Sequence, residues 1–325
     1  MGTLRGFLRV FGVPLALASG LGASGCLSTG EIQAIGACVD SGTDCEMAQS
    51  NPDLTSTTSL AGTTSYRLRG VTTAPYPFIE YLPGGYSPTG GKRWPLIVML
   101  HGIGEEGQGA TEADLDRAGV HGPNRRIREG REFPAVILTP MAPAWWDDNL
   151  TCAFVDFALA NYRIDSTRVY VTGLSMGGGG AWGLAGKCAN KVAALVPIAG
   201  AAGANGTYAA NIFNNKVSVW AFHNQDDGTV AIGNSDGWMD AFGGLMGSTN
   251  SVRSGNPTGN PTKTAHQRSD HVWEWLDPIA STNLAGYNYP REIHYTVYPS
   301  GGHDAWTKTY ANEALWNWMF QQVKR

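Results

Sequence analysis

Several short runs in this chain are almost wholly apolar: WPLIVML from Trp94, AVILTP from Ala135, VYVTG from Val169, ALVPIAG from Ala194 and VSVWAF from Val217. Each is too short for an ordinary helix and keeps no polar face for water, so each reads as a strand buried on both sides. Helical patterns fall between them, in CAFVDFALANY and GGAWGLAGKCA. FIEYLP adds an earlier strand and EIHYTVYP the last one, while DAWTKTYANEALWNWMFQQV closes the chain as a single amphipathic helix. Strands alternating with helices predict an α/β fold with a mainly parallel central sheet and helices on both faces. A length of 325 residues with 42% hydrophobic side chains is ample for that core.

The charge balance narrows the partners. A net charge of −4 without a block of Lys or Arg argues against a nucleic-acid partner, which needs clustered cations for the phosphates. No apolar run reaches the ~18 residues of a spanning helix. Residues 1–26 read as an export signal: Arg5 and Arg9, a short apolar stretch, small residues, then Cys26. ASGC resembles a bacterial lipobox, with Ala23 where Leu is usual, so Cys26 is a candidate lipid anchor; an ordinary secretory cleavage nearby is the alternative. The expected location is therefore outside the cytoplasm, as an outer-membrane lipoprotein, at the cell surface or secreted. Four further cysteines, Cys38, Cys45, Cys152 and Cys188, suit two disulfides in an oxidising compartment. Proximity favours Cys38 with Cys45 and Cys152 with Cys188. No C-x-x-C pair supports a zinc site. Residues 27–64, rich in Ser, Thr, Gly and Asp, read as a flexible tether before a domain over 65–325. An insertion at about 247–289 breaks the alternation; its Trp273 and Trp275 either cap a cleft or pack the insertion down, and His266 and His271 lie in it.

The chemistry gathers at RVYVTGLSMGGGGAW. G-L-S-M-G, Gly173 to Gly177, fits a nucleophile elbow: a sharp strand-to-helix turn with Ser175 at its tip and glycines where side chains would collide. The helix that follows offers free N–H groups and a favourable dipole to an oxyanion. A second match, GNSDG around Ser235, lacks a preceding apolar strand and would set Asp236 beside the developing charge, so Ser175 is preferred. A serine hydroxyl needs a base oriented by a carboxylate, and in this architecture the order is Ser, acid, His. His303 lies in the glycine-bearing turn PSGGHDAW between the last strand and helix; His294 lies inside the strand. After VSVWAF the chain offers Asp226 and Asp227, one as the acid and the other as a solvated turn residue. The oxyanion donors expected are the N–H groups of Met176 and of Ile103, with Gly104 next, in LHGIGEEG. That stretch also matches a dinucleotide fingerprint, but QGATEADLD supplies neither a tight helix nor a strand-end acid after it. His101 is expected to tie this loop to backbone, and Trp306 to pack beneath the His303 loop. Trp145 and Trp146 are candidate substrate-binding residues, with core packing as the other reading.

Taken in order, FIEYLPGGYS, WPLIVMLHGIGEEG, RIDSTRVYVTGLSMGGGGAW, VWAFHNQDDGTV and YPSGGHDAWTKTY resemble bacterial secreted α/β-hydrolases of the predicted-peptidase, phospholipase/carboxylesterase-like group, related to feruloyl esterases and polyhydroxybutyrate depolymerases. The resemblance runs from about Tyr66 to the C-terminus apart from the insertion. That group's H-G-x-x-D-P-x-V segment maps onto His223, Asp227 and Val230, which selects Asp227 as the acid; Asn224 and Gly228 depart from it, and Glu106 stands where Arg is common. The resemblance implies hydrolysis of an ester, polymeric esters included, through an acyl-enzyme on Ser175, His303 and Asp227, with no cofactor. A peptidase with the same triad and a non-catalytic surface-binding lipoprotein are the rival readings.

Overall fold

The computed structural model describes residues 61–245, 264–267, 272–277 and 291–324, with the backbone alone for 264–267, 272–277 and 291. The export signal, the Cys26 anchor, the tether up to residue 60, the Cys38–Cys45 pairing, His271 and the side chains of His266, Trp273 and Trp275 lie outside the described residues.

The described strands form one ten-stranded sheet. Its middle is β4 (Val136–Pro140), β3 (Trp94–Leu100), β5 (Ile164–Leu174), β6 (Ala194–Ile198), β7 (Ser218–Asn224) and β10 (Arg291–Tyr298), all parallel. At one edge β2 (Phe78–Leu82) and β1 (Thr63–Arg67) add antiparallel. At the other edge, two strands from inside the insertion, β9 (Val272–Asp277) and β8 (Thr264–Gln267), continue the sheet antiparallel from β10.

The period of two along each strand splits the core in two. Leu96, Val98 and Leu100 of β3 pack with α3 (Asp148–Asn161), α4 (Met176–Lys187), α5 (Gly206–Asn214) and α6 (Gly233–Leu245). Ile97 and Met99 point the other way, toward α7 (Trp306–Ala311) and α8 (Glu313–Gln321), with Ile127 of α2 (Gly122–Arg128) beside them. The short α1 (Glu112–Asp116) covers a smaller cluster around Ile79 and Leu115. Every β3 side chain is buried, as its unbroken apolar run requires.

Two expectations change. The closing helix is not continuous: Asn312 leaves helical geometry (φ −82°, ψ 115°), and its side chain accepts the Ala314 N–H, capping α8 as a new helix. Likewise α5 and α6 are helices that the sequence pattern does not predict, because GTYAANIFN and GNSDGWMDAFGGL are short or glycine-broken patterns that only packing completes. The Cys152–Cys188 disulfide is present and ties α3 to the C-terminal end of α4.

Candidate active site

The site starts from the turn between β5 and α4. Ser175 has φ 53° and ψ −118°, a strained conformation for a residue with a side chain. The surrounding backbone holds it there: Ser175 N–H donates to Ile198 O at 2.9 Å, while Ser175 O accepts from Gly179 N–H at 3.0 Å and Ala201 N–H at 2.9 Å. The glycines are steric necessities. A Cβ on Gly173 would lie 2.2 Å from Gly177 O, and one on Gly177 would lie 2.0 Å from Leu100 O and 2.4 Å from His101 O. These are backbone atoms of the α4 N-terminus and of the end of β3, so no rotamer change could make room.

Three side chains from separate strand ends meet at this turn. Ser175 Oγ lies 2.8 Å from His303 Nε2, and His303 Nδ1 lies 2.7 Å from Asp227 Oδ2. A carboxylate only accepts, so Nδ1 carries the ring proton and Nε2 presents its lone pair to the serine hydroxyl. Asp227 Oδ1 also accepts from the Thr229 and Val230 N–H groups, each at 2.9 Å. Burial pushes the Asp227 carboxyl up, but the His303 bond, the two backbone bonds and the His303 charge outweigh it and hold the pKa below its ordinary value. The Trp306 indole and the His303 ring pack perpendicular to each other at 5.0 Å between centroids.

No known family profile matches the chain. Among solved structures it is similar to a thermostable esterase, with a TM-score of 0.52 and 22% identity over 81% of this chain and 63% of that one. It is also similar to an acetyl xylan esterase from Aspergillus awamori, with a TM-score of 0.51 and 14% identity over 78% of this chain and 99% of that one. The fold is that of the α/β-hydrolases. The chain thus spans 63% of the length of that thermostable esterase.

Within the hydrolase fold, the loop after β3 abuts the elbow: a Cβ on Gly102 would lie 3.6 Å from Ser175 Cβ. Ile103 follows in this loop, and its side chain is exposed. Gly104 N–H donates to Glu106 Oε2 at 2.6 Å, which occupies the alternative oxyanion donor. Met176 opens α4, where first-turn N–H groups have no intrahelical acceptor. His101 is fully buried and takes the Ala142 N–H on Nε2 at 3.0 Å, so its Nδ1–H donates to Gly102 O at 2.9 Å. Burial lowers its pKa to about 4, which keeps the ring neutral for both bonds. After Gly107 the chain is irregular, with Gly109 at φ 60°, before it enters the five-residue α1.

Trp146 packs in the core. It is 5% exposed, its Nε1–H donates to His101 O at 3.1 Å, and its ring rests on Gly180 of α4, where a Cβ would come within 2.7 Å. Burying an indole requires a partner for its N–H, and the His101 carbonyl supplies it. Trp145 is 56% exposed and alone of the pair reaches solvent.

Other supporting residues escaped sequence reasoning. Asp226 is exposed, as expected of a solvated turn residue, and its carboxylate also accepts the Gly301 and Gly302 N–H groups at 3.2 and 2.9 Å; those bonds hold its pKa below the ordinary value. Asn224 Nδ2 donates to Gly302 O at 2.8 Å, and Lys308 Nζ donates to Ser300 O at 2.7 Å. The loop carrying His303 is thereby clamped to the loop carrying Asp227. Glu105 Oε2 accepts the Gly102 N–H at 3.0 Å, and its Oε1 lies 3.3 Å from His121 Nε2. Burial pushes the Glu105 carboxyl up to about 7, although the Gly102 bond pulls against it. Composition and spacing alone do not say which of the neighbours Glu105 and Glu106 turns inward, whereas for Asp226 and Asp227 the family resemblance selects Asp227.

Proposed function

We propose that the protein is a serine carboxylic-ester hydrolase working through an acyl-enzyme. The observation that carries this is the unbroken contact Ser175–His303–Asp227, at 2.8 and 2.7 Å, on an elbow that a strained serine and two steric glycines define. Ser175 Oγ attacks the ester carbonyl while His303 Nε2 takes its proton. The N–H groups of Met176 and Ile103 receive the oxyanion, where the α4 N-terminus also favours negative charge. His303 then protonates the departing alcohol. Water, deprotonated by the same Nε2, attacks the acyl-enzyme and releases the acid. Asp227 keeps the imidazole in the tautomer that both half-reactions need and stabilises its cation.

The substrate proposed is an extracellular ester: an acylated polysaccharide, an aromatic ester or a polyester, with the exposed Trp145 proposed to contact it. The similar Aspergillus awamori protein is named an acetyl xylan esterase, which makes acetyl-xylan a natural member of the panel. The Cys152–Cys188 disulfide is compatible with export, and Cys26 is the proposed lipid anchor. Purified protein is expected to hydrolyse p-nitrophenyl acetate and butyrate, and Ser175→Ala to lower kcat by ~10³-fold or more. Undiminished turnover in that variant would remove Ser175 as nucleophile; cleavage of peptide amides in place of esters would establish the peptidase reading instead.

A further inference from the structure

Behind Asp227 lies a second histidine that the mechanism above does not use. His223, next to last in β7, is completely buried, and its Nε2 lies 2.9 Å from Val230 O and 3.2 Å from Asp227 Oδ2. A carbonyl oxygen only accepts, so Nε2 carries the proton and shares it between that carbonyl and the carboxylate. Nδ1 is then a lone pair, and it lies 2.7 Å from Ser235 Oγ, so the serine hydroxyl donates to it. Ser235 is itself buried, at 2% exposure, near the start of α6. It is the serine of the second G-x-S-x-G match, which has no role as a nucleophile. The same Asp227 Oδ2 accepts from His303, so two imidazoles bind one carboxylate oxygen and a buried hydroxyl fixes the orientation of the further ring.

We propose that Ser235 and His223 are positioning residues that hold the Asp227 carboxylate against His303, extending the line Ser175–His303–Asp227 by two buried groups. Burial lowers the His223 pKa, consistent with a neutral ring that donates only through Nε2. This inference rests on the esterase reading, and the deciding experiment has an arm that does not need activity.

The arm independent of activity is the low-field proton resonance of the His303 Nδ1–H···Asp227 bond, identified by its loss in His303→Ala. His223→Leu is expected to shift or abolish that resonance, Ser235→Ala to shift it less, and Ser175→Ala to retain it. In p-nitrophenyl butyrate assays His223→Leu should lower kcat by about tenfold or more with KM little changed, the equivalent of one hydrogen bond to a charged group. His223→Gln, whose amide N–H can still reach Asp227, should recover much of that loss. Ser235→Ala deletes a single atom and should lower kcat by about threefold. The double variant should be no worse than His223→Leu, because the serine acts only through the ring. The proposal is overturned if Ser235→Ala and His223→Leu leave resonance and kcat unchanged while only the melting temperature falls, or if the Ser235 and His223 losses multiply. A wild-type protein with the resonance but no ester turnover would sink the esterase reading and leave the positioning pair standing.

Discussion

Adjacent carboxylates at Asp226 and Asp227 do opposite kinds of work. Asp227 turns inward to the imidazole, and Asp226 turns outward to hold Gly301 and Gly302, which need positive φ values of 143° and 59° to bring His303 back over the sheet. Asp226→Ala should therefore lower kcat by about tenfold through a loosened base loop, far less than Asp227→Ala, with esterase kinetics on both variants as the check. Glu105 carries a pH signature. Its pKa of about 7 lies above the ordinary 4.5, so between those values the folded protein holds a proton that the unfolded chain releases. Stability from this group is therefore fully present below about 4.5 and lost as pH rises through 7. Glu105→Gln should flatten the melting temperature across that window; an unaltered pH dependence in thermal melts would contradict the assignment.

Elements take their ends from single polar side chains. Asp147 accepts the Asn149 and Leu150 N–H groups at 2.8 and 3.0 Å and starts α3, earlier than the apolar spacing of CAFVDFALANY indicates. Asn312 both stops α7 and starts α8, allowing Trp316 to turn back and donate its Nε1–H to Tyr310 O at 3.0 Å. Without the bend, Trp316, Met319 and Phe320 could not all enter the core beneath β3 and β5. Asn312→Ala removes the cap and should cost about 1 kcal/mol, read as a fall of a few degrees in melting temperature with activity retained. On the opposite face, Trp182 of α4 stacks on Trp238 of α6 at 4.2 Å and 3° between planes, and Trp238 Nε1–H donates to Ala202 O. That stack anchors α6, and with it Ser235, against the helix whose N-terminus follows Ser175.

For the whole molecule the parallel sheet is what gathers the site. β5, β7 and β10 all end on the same edge, so loops 76 residues apart in sequence carry Asp227 and His303 into contact. The elbow adds the third group from β5, with β6 between it and β7. The Cys152–Cys188 bond closes a span of 36 residues that contains β5 and the elbow. In the chain-entropy account a loop of that length stabilises by about 4 kcal/mol. A Cys152→Ala/Cys188→Ala variant should accordingly unfold at markedly lower denaturant, with the Ser175–His303 contact and ester turnover preserved in the fraction that remains folded. Equal denaturation midpoints for the two proteins would show that the link contributes nothing.

The sequence by itself determined the α/β class, the individual central strands and the elbow, because each is written in local terms: apolar runs, period, and glycines flanking one serine. The His303 turn and the segment containing Asp227 were likewise legible from their order after Ser175. Only the tertiary structure decided that Asp226 would clamp a glycine loop, that Trp146 would be buried under His101, and that β8 and β9 would prolong the sheet. The same holds for the convergence of Ser235 and His223 behind Asp227. These outcomes depend on where a short polar side chain points and what distant backbone it meets, and neither periodicity nor spacing along a chain encodes that direction.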